Sequence, residues 1–364
     1  MTILESRKPA QTSATIRVGA LAIGIIAATM AIVFDQIVLE RDLLEKSVPD
    51  LSPAGLAKSA LCLLSAGFFL YAVKPDATDR RSAADRYLAT PIVTLSLLSQ
   101  SIMILSVLSI FAMPTALNFM VNSEASPMGL LSEGLLAAAV VALAASGLRL
   151  RKRKLGGIGA VPGLLVALVM TAVVFLILME EISWGQHLFG WGTPEAFSDN
   201  IQSETNLHNF YTNRFEAAYY LAAIAAFVVV PFAWPTAPFA PLEPLRFYVP
   251  PREFILVSAP VSGYLYLSWN IVPLQIGFFV GVLTVLALLL PRVGRVMPRH
   301  IPLLPGLAAV IVFAQIVYLT MGDRLIHVHE VDELREFQIS LLILVYAVWL
   351  LERASAKKVG VDAQ

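Results

Sequence analysis

Long apolar runs separated by short polar connections are the feature that most constrains this chain. A helix needs about 20 mostly apolar residues to cross a lipid bilayer, and backbone polar groups in lipid must be satisfied within the segment itself. Ten stretches of the 364-residue sequence are long enough: 17–35, 54–73, 88–113, 128–149, 158–181, 216–234, 253–270, 272–290, 302–321 and 335–352. The sequence therefore predicts an all-α polytopic membrane bundle of about ten transmembrane helices.

Composition supports the same class. Hydrophobic residues make up 57% of the chain and charged residues only 14%, unlike a soluble globular domain. We expect residues 1–353 to form one integral membrane domain and the polar residues 354–364 to form a flexible cytoplasmic tail. Membrane lipids are expected partners. No basic stripe with interleaved aromatic residues is present, so nucleic acid is not expected, and nothing in the sequence indicates an oligomeric state.

The distribution of Lys and Arg predicts the orientation in the membrane. Cytoplasmic connections carry an excess of these residues. With ten crossings and a cytoplasmic N-terminus, 20 of the 26 Lys and Arg residues fall on the cytoplasmic side, among them the RKRK run at 151–154. Both termini are therefore predicted to be cytoplasmic.

The connection over residues 182–215 is much longer than the others. Long connections are uncommon unless they act as lids or binding elements. Trp184 and Trp191 suit the headgroup level of a bilayer, while Thr193, Pro194 and Glu195 predict an N-cap, a first-turn proline and an acidic first turn. We expect this long connection to lie along the outer interface as short helices.

Four of the five histidines fall on the predicted outer side, in two groups with acidic neighbours: His187 with His208, and His327 with His329. On a helix, residues four apart share a face, which would pair Glu204 with His208 and His329 with Glu333. Mixed imidazole and carboxylate ligands suit Zn²⁺ or, with more carboxylate, Mn²⁺ or Fe²⁺.

These residues form the predicted site. The candidate catalytic residues are Glu181, Glu204 and Glu333, and the candidate ligands of a divalent metal are His187, Glu204, His208 and His329. A simpler interpretation is that the glutamates at the end of the fifth stretch only mark where hydrocarbon ends. The acidic residues at 332–336 would then be a helix first turn that the helix dipole favours.

A second acidic group follows the first apolar stretch and contains Asp35, Glu40 and Asp42. Here the chain resembles membrane glycosyltransferases that use polyprenyl-phosphate sugars, which carry a catalytic acid in the first outer loop. It departs from them because this loop is short and no large outer domain follows the last helix. We favour the other interpretation, an interfacial helix whose acids are balanced by Arg41 and Lys46.

Two sequence blocks carry a further resemblance. EEISWGQ begins at Glu180, and the pattern N-x-Q-x-E-x-N-x-H-N runs from Asn200 to Asn209. Over residues 180–211 the chain resembles a group of uncharacterised bacterial multi-pass membrane proteins that bear both blocks. The resemblance implies a bacterial inner membrane with a periplasmic outer face. The resemblance does not imply a particular activity.

Three functions remain open from the sequence. The first is a metal-assisted hydrolase or transferase that acts on a lipid or lipid-linked substrate. The second is a transporter with a Glu/His proton relay, and the third is a membrane assembly protein. Transporters place coupling residues near the bilayer midplane. Because the ionisable residues here cluster at one membrane edge, the sequence favours the enzyme.

Overall fold

The computed structural model describes residues 14–75, 90–121, 126–200, 203–234, 244–289, 303–324 and 330–356, which are almost wholly helical and contain no β-strand. The long helices are α1 Ala14–Ile37, α2 Pro53–Val73, α3 Thr90–Ala112, α4 Pro114–Val121, α5 Pro127–Arg153, α6 Gly163–Glu181, α7 Thr212–Ala233, α8 Val272–Leu289, α9 Leu303–Met321 and α10 Glu330–Ser355. A π-helical turn at Ala225–Val229 lies within α7.

Nine helices of the described chain are long and apolar enough to cross a membrane, α4 being too short. They match nine of the ten predicted stretches. Large apolar side chains project outward from them, with Val18 66% exposed, Leu105 60% and Val141 69%. Such a surface would be a liability in water and is suited to lipid. The prediction of an all-α polytopic bundle is confirmed.

Helix α10 defines the two ends of the bundle. At its start, Asp332 Oδ2 lies 2.8 Å from Nζ of Lys46, in the connection between α1 and α2. Just beyond its end, the carbonyl of Ala356 accepts a hydrogen bond from Arg153 at the end of α5. We call the end that contains Lys46 and Asp332 the acidic end, and the end that contains Arg153 and Ala356 the opposite end.

The prediction of a helix over 253–270 is wrong, although the chain does pass through the bundle there. Near one end of this segment, the hydroxyl of Tyr248 donates to Gly156 O at 2.6 Å, at the opposite end of the bundle. At the other, Asn270 Nδ2 donates to Ser47 Oγ at 2.8 Å, at the acidic end. Between them lie one helical turn, Phe254–Ser258, and two 3-10 turns, Ala259–Ser262 and Leu267–Asn270. We call residues 249–271 the unwound crossing.

Local sequence explains why this crossing is not a helix. Pro260 has no N–H to donate, and Tyr264 adopts a left-handed conformation with φ of 59°. Every residue from 253 to 271 except Leu267 is buried. Irregular backbone is tolerated at membrane depth only where protein surrounds it. The bundle meets that condition.

Side chains of neighbouring helices replace the missing helical hydrogen bonds of the unwound crossing. Gln315 of α9 accepts from the N–H of Leu265 at 3.1 Å and donates to its carbonyl at 2.6 Å. Ser99 of α3 donates to Val257 O at 3.0 Å. From α10, Arg335 Nε donates to the carbonyl of Val261 at 3.1 Å. The crossing is therefore fixed by three helices that are distant from it in sequence.

The expected interfacial helix after α1 is not formed, because residues 38–50 adopt turns and irregular structure. The charges are nevertheless balanced. Arg41 pairs with Asp35 at 3.3 Å and with Asp50 at 2.8 Å, and buried Lys58 lies 2.9 Å from Asp35. Asp35 is thus an ion-paired structural residue in this structure.

Candidate functional site

The first of the two glutamates that end α6 holds the long connection in place. Oε1 of Glu180 accepts a hydrogen bond from Trp184 Nε1 at 2.9 Å. Oε2 accepts from the backbone N–H of Leu207 at 2.7 Å and of His208 at 3.1 Å. Hydrogen bonds to an ionised carboxylate are roughly twice as strong as neutral ones. Glu180 therefore attaches the second sequence block to the end of α6.

Glu204 occupies the centre of the contact between the two sequence blocks. Its Oε2 accepts hydrogen bonds from Ser183 Oγ at 2.7 Å, Asn206 Nδ2 at 3.0 Å and Asn209 Nδ2 at 3.4 Å. Its backbone N–H donates to Asn200 Oδ1 at 3.0 Å. Glu204 was predicted to be catalytic and a metal ligand; the structure surrounds it with amide and hydroxyl donors that fix its position.

Gln186 adds a third connection between the blocks. Its Oε1 accepts from the N–H of Thr205 at 2.7 Å, and its Nε2 donates to Thr193 Oγ1 at 2.9 Å. Thr193 is not the N-cap that we expected, since its hydroxyl donates to the carbonyl of Ser203 and the 3-10 turn after it is capped by Pro194. The polar residues of both blocks thus hold the two blocks together.

The expected short helices are present as Gln186–Phe189, Glu195–Phe197 and His208–Phe210. The predicted helical pairing of Glu204 with His208 is wrong, because residues 203–207 are irregular and the turn begins only at His208. The two side chains still interact electrostatically. The backbone folds back because Asn200 caps it locally, as Asn commonly does in turns.

Three successive residues within the first block have a left-handed backbone conformation. Ser183 and Trp184 have φ values of 47° and 53°, and Gly185 follows with φ of 89°. Only glycine adopts this region without cost, and non-glycine residues there cost of order 1–3 kcal/mol each. The hydrogen bonds of Glu180 and Glu204 offset that cost. They force the chain to turn sharply just after Glu181.

His208 lies between Glu180 and Glu204, with Nδ1 at 3.7 Å from Glu180 Oε2. Burial lowers the pKa of its imidazole below the ordinary 6.5, although both carboxylates act in the other direction. The ring is therefore neutral at pH 7. A neutral imidazole can accept a proton or a metal ion.

We expect acid to loosen the attachment of the second block. The unfolded imidazole takes up a proton at pH 6.5 and the folded one only below it, so stability is full above pH 6.5 and falls as the pH drops through that value. Amide hydrogen exchange at Leu207 and His208 should accelerate on acidification beyond its intrinsic pH dependence. His208→Gln should remove that excess. An equal excess in the variant would contradict this assignment.

The second glutamate, Glu181, has a different environment. It is partly buried and interacts electrostatically with Glu133 of α5, Glu216 of α7 and Glu333 of α10. The structure therefore brings together Glu181 and Glu333, two of the predicted catalytic residues. Four helices contribute to this convergence.

Further carboxylates extend the group into the bundle. Glu336 interacts electrostatically with Glu181, Glu216, Asp332 and Glu333. We call the following residues the acidic cluster: Glu133, Glu181, Glu216, Asp332, Glu333 and Glu336. Helix α10 starts at Glu330 rather than near 335, which places three of these carboxylates on its first two turns. The dipole of a helix favours acids there, as one of our interpretations held.

Lys46 was expected to balance the acids of its own connection, but it pairs with carboxylates of α7 and α10 instead. Its Nζ lies 2.5 Å from Glu216 Oε2 and 2.8 Å from Asp332 Oδ2. Burial alone would lower its pKa, but the two carboxylates outweigh burial and raise it above the ordinary value. Lys46 therefore stays charged. It attaches the first connection to α7 and α10.

Two of the predicted metal ligands lie outside the described part of the chain, namely His329 and the side chain of His187. The neighbouring His327 lies outside it as well. Within the described residues, no three His, Cys, Asp or Glu side chains converge closely enough to hold one ion. The divalent metal remains a prediction.

No protein-family model, curated protein or solved structure matches this chain.

Proposed function

We propose that this protein is a membrane-embedded enzyme that carries out hydrolysis or group transfer on a lipid or lipid-linked substrate at the acidic end, with Glu181 as acid and base. The observation that carries the proposal is that the two neighbouring glutamates have different environments. Glu180 is occupied by three hydrogen bonds. Glu181 is partly accessible and faces other carboxylates instead of a cation.

This arrangement suits proton transfer. A carboxylate among other carboxylates exchanges protons more readily than one paired with Lys or Arg, and positioned proton transfer contributes typically about 10²–10⁴-fold to a rate. Glu333 and Glu336 would exchange protons with Glu181 as the substrate reacts. A divalent cation bound with His208 and His329 would add activation of water or a hydroxyl.

The surface beside Glu181 suits contact with lipid. Large apolar and aromatic side chains are exposed along the long connection, namely Trp184, Phe189, Trp191, Leu207, Phe210 and Tyr211. Phe189 and Trp191 stack with ring centroids 5.4 Å apart. Aromatic residues are favoured at headgroup level. The long connection would therefore lie in the interface and admit a lipid to the cluster.

The proposal includes a location. We place the protein in a bacterial inner membrane, with the acidic end towards the periplasm and both termini in the cytoplasm. The Lys and Arg asymmetry supports this orientation. The two-block resemblance supports the bacterial origin.

The test compares lipid extracts of bacterial cells that produce wild-type protein or single variants, by untargeted mass spectrometry. Wild type should change the level of at least one lipid or lipid-linked species, and Glu181→Gln should abolish that change at equal protein level because the amide cannot exchange the proton. Glu195→Gln is the matched control, since Glu195 is exposed in the same connection. A Glu181→Gln extract identical to wild type would exclude Glu181 as the reacting group.

Proton-coupled transport is a second candidate, and the unwound crossing favours it. Transporters bind substrates where a broken helix meets intact ones. Arg335, followed by Glu336 on α10, contacts this segment, whereas we expected the ionisable residues to cluster at one membrane edge. Acidification of sealed proteoliposomes on addition of a solute, with no chemical change in that solute, would favour transport over catalysis.

A further inference from the structure

Arg335 is the largest fully buried side chain of the described bundle, with an exposed fraction of 0%. Its guanidinium carbon lies 3.9 Å from the centroid of the Tyr220 ring. Its Nε donates to the carbonyl of Val261, in the unwound crossing. These two contacts fix the plane and the direction of the guanidinium.

The two terminal nitrogens of this guanidinium are its remaining hydrogen-bond donors. Neither Nη1 nor Nη2 has a hydrogen-bond partner among the described residues, and both atoms are buried. Buried polar groups in native proteins are almost always paired, and a buried unpaired donor on a charged group is especially unfavourable. Two adjacent orphan nitrogens on one rigid fork therefore indicate a missing acceptor.

Carboxylates close to Arg335 do not supply that acceptor. Asp332, Glu216 and Glu336 all interact with it electrostatically, yet each is engaged elsewhere. Lys46 binds both Asp332 and Glu216. Glu336 Oε1 accepts from the hydroxyl of Tyr220 at 3.1 Å.

We propose that Nη1 and Nη2 of Arg335 bind an oxyanion of the substrate, a phosphate or a carboxylate, as a two-point contact beside the acidic cluster. This inference rests on the proposed function and names the charged group of its substrate. A planar guanidinium fork matches the two oxygens of such a group, whereas an ammonium does not. Stacking on the Tyr220 ring fixes the orientation of the guanidinium before the oxyanion binds.

Charge at the site sets a second property. Among the described residues, the cations there are Lys46, which binds Glu216 and Asp332, and Arg335, which interacts electrostatically with both and with Glu336. Glu336 in turn interacts with Glu181 and Glu333. Because carboxylates outnumber cations there, we expect the site to accept the additional negative charge of an oxyanion only if carboxylates of the acidic cluster take up protons. Binding of the oxyanion is therefore linked to proton uptake, and its affinity rises as the pH falls.

The experiment measures binding to the full chain purified in detergent, by isothermal titration calorimetry at about pH 6 and about pH 8, because linkage predicts tighter binding at the lower value. The probes are inorganic phosphate, dihexanoyl phosphatidic acid and hexanoate, which separate a free phosphate, a lipid phosphate and a carboxylate. At least one should bind wild type. Arg335→Lys should weaken it by at least about tenfold, since Lys lacks the fork.

Two further variants keep the test decisive if Arg335→Lys does not fold. Tyr220→Phe keeps the stacked ring but releases Glu336, which can then occupy the fork, so it should weaken binding severalfold. Arg353→Gln is the matched control, because Arg353 also contacts aromatic rings but lies at the opposite end of α10. It should bind like wild type. Absence of binding by all three probes, or wild-type affinity in whichever of Arg335→Lys and Tyr220→Phe folds, would overturn the proposal.

Failure here can be told apart from failure of the proposed function. Glu181→Gln should lose the change in lipid extracts and still bind the oxyanion. If an active enzyme binds no oxyanion, only the assignment of Arg335 falls. If oxyanions bind with the expected variants and pH dependence while lipid extracts never change, the catalytic proposal falls and the binding site stands.

Discussion

Replacing Lys46 with Met should lower the free energy of unfolding by about 3–5 kcal/mol, the usual cost of removing one partner from a buried ion pair. The loss is large because Lys46 neutralises two carboxylates, Glu216 and Asp332, at 2.5 and 2.8 Å. Without it both would face the rest of the acidic cluster with Arg335 as the remaining cation beside them. Reversible unfolding in mixed micelles measures the effect.

The controls for Lys46 separate charge from side-chain length. Lys152→Met removes a lysine exposed at the end of α5 and should change stability by less than about 0.5 kcal/mol, as surface substitutions do. Adding Glu216→Gln and Asp332→Asn to Lys46→Met should restore much of the loss, because neutral amides need no counter-ion. A Lys46→Met protein as stable as Lys152→Met would show that the pairs contribute nothing.

Gln315→Leu should cost about 2–6 kcal/mol, since an unsatisfied buried polar group costs about 1–3 kcal/mol and this change creates two. The carboxamide of Gln315 satisfies both the N–H and the carbonyl of Leu265. Leu would leave these two groups unpaired at membrane depth, where water is not available to replace the amide. The same unfolding assay detects the loss.

Gln275 provides a matched control for Gln315. Both are fully buried glutamines on membrane helices. Among the described residues, however, Gln275 makes one hydrogen bond, to Ser59 at 2.9 Å, and its Oε1 is already unpaired. Gln275→Leu should therefore cost less than about 1 kcal/mol, the net value of one such bond. Equal losses in both variants would mean that the backbone of Leu265 finds another partner.

Hydropathy was sufficient to predict the spanning helices because each buries its backbone hydrogen bonds within itself. Hydropathy could not predict the conformation of the unwound crossing. Residues 253–270 are as apolar as a helix, and their conformation depends on Gln315, Ser99 and Arg335, which are up to 158 residues away from the groups they bind. Pro260 and the gap of a single residue between this stretch and α8 were the available local signals.

The candidate site was also predictable only in part, because many of its contacts join residues that are distant in sequence. Glu181 and Glu333 stood out as acids at the ends of apolar runs, and the structure brings them together. Glu204 and His208 also stood out, but their contacts depend on a backbone turn that local spacing does not encode. Arg335 was missed, and Lys46 was assigned to the wrong acids, because a lone cation gives no pattern until its partners from other helices are known.

The unwound crossing also constrains the order in which the chain matures during synthesis. Residues 249–271 leave the ribosome before Gln315 and Arg335 have been made, so their exposed carbonyls and amides have no permanent partners at that stage. The six spanning helices that precede it can insert one after another, whereas this segment waits for α9 and α10. A nascent chain that stops after α8 is therefore expected to be a substrate for membrane quality control, even though most of its helices are already in place.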